Sequence, residues 1–103
     1  MKDNTDGLRK LLLEAADVLR IAQPAWSGTV AKFGQRLIEA GADRDARLRV
    51  VRDVLGLYRQ GMGGFQDVVL QRDGSVLPEQ RQLDRLRSLL FEESTRQLAG
   101  EPL

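Results

Sequence analysis

Residues 58–70, with the sequence YRQGMGGFQDVVL, interrupt a chain that otherwise has the pattern of helices. Three of the ten glycines fall within residues 61–64, and an aromatic residue, an amide, an acid and three aliphatic residues follow at once. Glycine adopts backbone conformations that other residues avoid, so a glycine cluster indicates a turn. The segment therefore predicts a corner at which one helix ends and the chain changes direction.

Around this corner, apolar residues recur at steps of three and four in four segments, at about residues 6–23, 25–40, 44–60 and 78–99. This spacing places an apolar stripe along one face of a helix. Four stripes joined by short connections predict an all-α fold, a small antiparallel four-helix bundle. A chain of 103 residues has room for one core, so we expect a single domain over residues 1–103, with a short tail at 100–103.

The corner motif has a structural interpretation residue by residue. The third stripe includes Tyr58, and Gly61 is expected to end that helix in the left-handed conformation. Gly63 and Gly64 are expected to turn the chain in a way closed to other residues. Apolar side chains on either side of this turn then cover the end of the bundle. The residues of the motif are Tyr58, Gly61, Met62, Gly63, Gly64 and Phe65.

The non-helical segment is expected to cover residues 61–77, and its later part contains an Asp-Gly pair between two short apolar runs. Val68-Val69-Leu70 precedes the pair and Ser75-Val76-Leu77 follows it, a pattern typical of a β-hairpin. A hairpin of this size is marginally stable unless it packs on helices. Residues 65–77 therefore predict either a short hairpin or an irregular loop.

Composition argues against several classes of function. The chain has no cysteine and no histidine, which removes thiolate chemistry, the commonest general base and the commonest metal ligand. The glycine cluster lacks the Lys-Ser/Thr of a phosphate loop, and Gln66 stands where a dinucleotide motif needs its last glycine. We therefore expect a non-enzymatic protein with no catalytic residue, no metal and no cofactor.

Charge and hydropathy predict where the protein works. The formal net charge is +1, so no overall field attracts nucleic acid or an anionic membrane. The chain has no apolar run near the ~20 residues that span a bilayer, and its polar beginning does not resemble a signal peptide. We expect a cytoplasmic protein with no membrane partner.

A protein partner is the interaction that the polar residues favour. Arginines of the third helix alternate with aspartates, which is more typical of a solvated or protein-facing surface than of a nucleic-acid site. A homodimer through a leucine stripe is an alternative. The candidate contact residues lie in the corner and on the third helix, and they are Gln66, Asp67, Arg72, Asp73, Arg44, Arg47 and Arg52.

The motif resembles the signature of a bacterial family of small, mostly uncharacterised domains, Tyr-Gly-Gly-Met-Gly-Ser-Phe-Asn-Asp-Leu-Val-Leu. In that family a tryptophan helix lies upstream and a Leu-x-x-Leu-Arg helix lies downstream. This sequence departs from the signature at Arg59-Gln60, at Gly64 in place of serine and at Gln66 in place of asparagine. The residues that agree are Tyr58, Gly61, Met62, Gly63, Phe65, Asp67, Val69, Leu70, Trp26, Leu83, Leu86 and Arg87.

The resemblance implies a helical fold rather than an activity. Small bacterial domains of this kind often occur as immunity proteins or accessory factors beside toxins. The leading hypothesis is therefore an immunity protein that binds a cognate toxin and covers its active site. The alternative is a regulatory or nucleic-acid-associated helical protein that uses its arginine-rich helix faces.

Overall fold

The computed structural model describes residues 6–59 and 64–100, and four packed helices account for most of them. This arrangement confirms the predicted helical bundle. No helix among the described residues is long and apolar enough to cross a membrane. The elements in chain order are α1 (Asp6–Leu19), α2 (Pro24–Ala40), α3 (Arg44–Gly56), two 3₁₀ turns (Leu57–Arg59 and Phe65–Asp67), β1 (Gln71–Arg72), β2 (Ser75–Val76) and α4 (Gln80–Ala99).

Local sequence signals set several of the helix boundaries. Pro24 is the first residue of α2, where its missing N–H needs no partner. Gly41 ends α2 with a φ of 55°, a conformation that favours glycine. Asp43 begins α3, and its side chain accepts a hydrogen bond of 3.1 Å from the backbone N–H of Ala46. Each of these boundaries therefore has a local cause in the sequence.

The end of α3 differs from the prediction. The α-helix stops at Gly56 and a 3₁₀ turn continues to Arg59, so the α-helix ends earlier than predicted. The predicted roles of Gly61, Met62 and Gly63 fall outside the described residues. Gly64 has φ −82° and ψ −170°, which other residues also adopt. The expectation of a glycine-only turn is therefore wrong at Gly64.

The core lies between the apolar stripes of the four helices, with α1 packed on α2 and α4, and α3 packed on the same two helices. Burying one such aliphatic or aromatic side chain stabilises the fold by about 1.5–3 kcal/mol. The corner contributes to this core, because Phe65 and Leu70 are completely buried. The fully buried apolar side chains of the helices include Leu8, Leu12, Leu19, Val30, Val51, Val54, Leu83 and Leu90.

The hairpin is present, and its register is set by the Asp-Gly turn. Gln71 pairs with Val76 and Arg72 pairs with Ser75 in an antiparallel ladder. Asp73 and Gly74 have φ values of 53° and 80°, the two positive values that a type I′ turn requires.

The strands begin later than the apolar run does. Val68 and Leu70 are buried in the core and precede the first strand, which covers only Gln71–Arg72. The pairing nevertheless extends one step inward, because the Leu77 N–H donates to the Leu70 carbonyl oxygen at 2.8 Å. The hairpin is thus tied directly to the core.

Changing Gly74 to alanine is expected to lower the free energy of unfolding by about 1–2 kcal/mol, because an L-residue is strained at positive φ. The matched control is Gly28→Ala on the exposed surface of α2, where an added Cβ has no neighbour within 4 Å. That change should raise stability by about 0.5–1 kcal/mol through helix propensity. Urea denaturation of both variants measures the two changes in the free energy of unfolding. If both variants were stabilised, or both destabilised, the assigned turn would be contradicted.

Candidate functional site

Arg87 of α4 holds the corner segment, which we define as residues 64–77, against the bundle. The residue is buried at 7% exposure, and Nη1 donates to the carbonyl oxygens of Phe65 at 2.8 Å and Val68 at 3.0 Å. Nη2 donates to Asp84 at 2.5 Å. One guanidinium therefore donates to two backbone carbonyl groups, one in the 3₁₀ turn and one in the residue after it. Buried carbonyl groups need such hydrogen-bond donors.

Other side chains fix the next two residues of the corner segment. Gln80 Oε1 accepts from the backbone N–H of Leu70 at 2.6 Å. Gln23 Nε2, in the α1–α2 connection, donates to the carbonyl oxygen of Val69 at 3.1 Å. The backbone at this point is therefore held from both sides of the bundle by side chains rather than by a sheet.

Aromatic rings form the inner wall of the corner. Phe65 is completely buried, with its ring centroid 5.6 Å from that of Trp26 and 5.5 Å from that of Tyr58, which it meets edge-on. The ring centroid of Phe91 lies 5.1 Å from that of Tyr58, on the side away from Phe65, and Phe91 is 45% exposed. Trp26 packs against the core but is only partly buried.

Two ionisable groups beside Arg87 have shifted pKa values. Burial raises the pKa of the Tyr58 hydroxyl well above its usual value, and the nearby positive charge of Arg87 only partly offsets this. Desolvation acts to raise the pKa of Asp84, but hydrogen bonds from Arg87 and Gln80 outweigh it and the pKa is lowered. Tyr58 therefore stays neutral at ordinary pH, and its hydroxyl donates to the Arg87 carbonyl oxygen at 2.5 Å.

Two clefts flank the corner segment. The larger, which we call the Trp26 cleft, measures about 380 Å³ and lies between Trp26 and Gln23 on one side and corner residues Asp67 to Val69 and Gln71 on the other. The smaller has about 200 Å³ and lies between Tyr58, Gln66 and Phe91. The 3₁₀ turn Phe65–Asp67 thus presents its polar side chains between two depressions that contain aromatic rings.

The predicted contact residues fall into two separate groups. Gln66, Asp67, Arg72 and Asp73 are exposed on the corner segment, and Arg72 Nη2 donates to the Ile21 carbonyl oxygen at 3.0 Å. These four residues lie at the end of the bundle where α2 begins, because Gln23 and Trp26 contact the corner segment.

The arginines of α3 are distributed along that helix. Arg47 Nη1 donates to the Gly41 carbonyl oxygen at 3.1 Å, next to the end of α2. Because α2 has 17 residues, its two ends are about 25 Å apart. Arg44 and Arg47 therefore lie far from the corner segment, and Arg52 lies exposed between the two ends of α3. The structure does not unite the seven residues in one site.

Acidic neighbours compensate several of the arginines. In the described part of the chain, Arg36 of α2 pairs with Asp53 of α3 at 2.8 Å, which links the two helices. Further ion pairs within single helices or at their ends are Arg20–Asp17, Arg87–Asp84 and Arg96–Glu93. Residues 6–59 and 64–100 contain no group of three or more acidic side chains arranged to hold a metal ion.

Arg87 is the important residue whose structural role was not predicted from the sequence, where it stood out only through the motif resemblance. The helical phase contains a signal for its burial. At about 100° per residue, Arg87 lies about 70° from the centre of the Leu83, Leu86 and Leu90 stripe, whereas Arg85 lies about 130° away. An arginine within an apolar stripe predicts a buried guanidinium with backbone acceptors.

The chain was compared with known proteins at the level of sequence families, curated proteins and solved structures. No family model matches it, and neither a curated protein nor a solved structure gives a match.

Proposed function

We propose that the chain is a non-enzymatic, cytoplasmic protein-binding domain that contacts its partner through the corner segment. The observation that carries this proposal is that the exposed side chains of Gln66 and Asp67 stand on a backbone fixed from beneath by Arg87. Those of Arg72 and Asp73 are exposed on the hairpin that follows it. Functional residues are commonly placed on non-regular segments that a rigid scaffold positions.

The fixed backbone favours binding for a thermodynamic reason. A loop that must become ordered on binding loses conformational entropy, which reduces the affinity. Here the hydrogen bonds from Gln23, Gln80 and Arg87 already order residues 65–70 in the free protein. The mixed charges of the corner segment, two acids and one arginine, suit a specific partner surface more than a uniform polyanion.

The more specific proposal is a bacterial immunity protein that neutralises a toxin by covering the toxin's active site. It is supported by the resemblance of the motif around Tyr58, Phe65 and Asp67 to that of the bacterial family, and by the small size of the domain. The corner segment is the part of the domain that enters or covers the toxin's cleft.

Expression of the neighbouring genes tests the immunity role. We expect one neighbouring gene product to stop growth when it is expressed alone and to become harmless when this chain is co-expressed. The purified toxin should bind the immobilised full chain. If no neighbouring product is toxic alone, or if a toxic one is neither bound nor neutralised, the immunity role is wrong.

A pair of matched charge reversals locates the contact surface. Arg72→Glu in the corner segment is expected to weaken partner binding by at least about tenfold, as for a charge at the centre of an interface. Arg52→Glu makes the same change on α3 and should alter the affinity by less than about twofold. The opposite ranking would place the contact on α3 and contradict the corner proposal. Calorimetric titration of the partner into each variant measures the two affinities.

The alternative function, nucleic-acid association through the α3 arginines, has a direct test. Binding to phosphates releases counterions, so the affinity for a labelled duplex would fall steeply with salt concentration. The pairing of Arg36 with Asp53 and the interleaved aspartates of α3 reduce the positive field of this face. We expect no salt-dependent anisotropy change with duplex DNA or RNA, and a steep dependence would favour the alternative.

A further inference from the structure

We infer that the protein partner contributes an extended segment, which pairs as an added β-strand with the free edge of β1 inside the Trp26 cleft. The inference rests on the proposed protein-binding function and adds the backbone conformation of the segment that is recognised. Three backbone groups of this edge carry it: the N–H of Val69, and the N–H and C=O of Gln71.

The register of the hairpin shows which backbone groups of β1 face outward. In an antiparallel ladder, residues alternate between pairs that exchange hydrogen bonds and pairs that do not. The Leu77 N–H donates to the Leu70 carbonyl oxygen at 2.8 Å, so the next pair, Gln71 and Val76, exchanges no ladder hydrogen bond. The N–H and C=O of Gln71 therefore point to the edge of β1 that lies away from β2.

Val69, two positions earlier, uses the same edge. The N–H of Leu70 donates to Gln80 and its C=O accepts from Leu77, so both groups point to the side of β2 and α4. In an extended chain the backbone groups of consecutive residues point to opposite sides, and those of Val69 therefore point to the cleft. The hydrogen bond of 3.1 Å from Gln23 Nε2 to the Val69 carbonyl oxygen agrees with this direction.

Three of these four outward groups are available for pairing. Gln23 occupies the Val69 carbonyl oxygen, whereas no hydrogen bond within residues 6–59 and 64–100 uses the Val69 N–H or either backbone group of Gln71. Residues two positions apart in a strand are separated by about 6.7 Å. Another extended backbone repeats its donors and acceptors at this distance, which is why strands add to free sheet edges.

The Trp26 cleft provides the space for such a strand. It separates the free edge of β1 from Trp26 near the start of α2, and its volume of about 380 Å³ falls within the range of ligand-binding clefts. The side chains of an added strand alternate between two faces. Those that point inward meet Trp26 and Val68, so the partner segment carries an apolar residue at that position.

Amide hydrogen exchange of the free protein tests the edge without a ligand. We expect the Val69 and Gln71 amides to exchange at least about tenfold faster than the Leu70 amide, which has a protein acceptor. Comparable protection of all three amides would show that the edge is already covered and would overturn the inference. A dimer in sedimentation equilibrium that Gln71→Pro dissociates would show that a second copy occupies the edge, and would also overturn it.

The binding probe is the blocked peptide N-acetyl-Thr-Val-Leu-Val-Thr-amide. It is titrated into the full chain while the fluorescence and the indole N–H resonance of Trp26 are followed. Trp26 is the only tryptophan in the chain, so the signal reports on the cleft. The control peptide has the same side chains but carries N-methyl groups on its central valine, leucine and valine amides, which removes these backbone donors.

We expect a saturable change with the first peptide and at least about fivefold weaker binding of the N-methylated peptide, the effect of losing one hydrogen bond. This comparison changes no residue of the protein, so it does not depend on how a variant folds. Absence of a response to the first peptide, or equal affinity for the two peptides, contradicts strand addition.

A pair of proline substitutions distinguishes the two edges of the hairpin. Gln71→Pro removes an outward N–H on the cleft side, and Val76→Pro removes its counterpart on the opposite edge. Neither N–H belongs to the ladder, so both variants retain the hairpin's own hydrogen bonds. Gln71→Pro should weaken binding of the first peptide by at least about fivefold and Val76→Pro should change it by less than about twofold. The opposite ranking, or equal affinities, would place the peptide elsewhere and overturn the inference.

The partner experiments separate failure of this inference from failure of the proposed function. If the toxin binds Gln71→Pro as tightly as Val76→Pro, the partner does not add a strand to β1, although the chain remains a protein-binding domain. If no partner binds the unchanged chain, the proposed function fails, and the peptide titration still decides whether the edge of β1 accepts a strand.

Discussion

Replacing Phe65 by alanine is expected to lower the free energy of unfolding by about 4 kcal/mol, since truncation of a buried phenylalanine leaves a cavity. The ring is completely buried between Trp26 and Tyr58, and the Arg87 guanidinium lies over it at 5.9 Å. The cavity would therefore open directly beneath the corner segment. Urea denaturation followed by the fluorescence of Trp26 measures the loss.

Phe91→Ala is the matched control for this change. Phe91 also contacts Tyr58, but it is 45% exposed and belongs to the surface of α4. We expect its truncation to lower stability by about 1 kcal/mol, as for a partly exposed aromatic contact. If the two alanine variants lose the same free energy of unfolding, Phe65 does not join the corner segment to the core.

Replacing Arg87 by methionine is expected to lower the free energy of unfolding by about 3 kcal/mol, because it removes the guanidinium donor from two buried carbonyl oxygens. Methionine preserves much of the hydrocarbon length, so the effect isolates the polar head. The oxygens concerned belong to Phe65 and Val68, and both hydrogen bonds are buried. Chemical denaturation of the variant gives the value.

Arg85→Met tests whether the effect depends on burial. Arg85 is exposed on the same helix, and exposed substitutions of this type usually change stability by less than about 0.5 kcal/mol. Arg87→Lys keeps the charge but loses the planar guanidinium, so we expect an intermediate loss. A loss in Arg87→Met no larger than that in Arg85→Met would contradict the role given to Arg87.

The bundle could be predicted from the sequence because its signals are local. Apolar periodicity identifies each helix, and Gly41 and Asp43 act on neighbouring backbone groups, so both caps were predictable. The Asp73-Gly74 turn belongs to the same class. A signal of this kind involves residues only a few positions apart.

The end of α3 was harder to predict because glycine has two different uses. Gly56 terminates the α-helix without a positive φ, and the 3₁₀ turn after it keeps Leu57 in the core. Periodicity alone does not distinguish an α-helical from a 3₁₀ turn at this length. The prediction therefore extended α3 too far along the chain.

The site depends on contacts between distant residues, and this is why it was predicted only in part. Arg87 reaches Phe65 across 22 positions, and Gln23 reaches Val69 across 46. The exposed corner residues could be identified from their polarity, but their separation from Arg44 and Arg47 follows from the antiparallel path of α2 and α3. A sequence pattern contains no such distance.

Native-state hydrogen exchange at Leu70 tests the central claim, that the corner segment is a fixed part of the core. Its amide donates to Gln80 and its side chain is completely buried. We predict that this amide exchanges only through openings close in free energy to global unfolding, and that Arg87→Met removes most of the protection. Rapid exchange of Leu70 in the unchanged protein, while the amides of α1 and α4 stay protected, would contradict the claim.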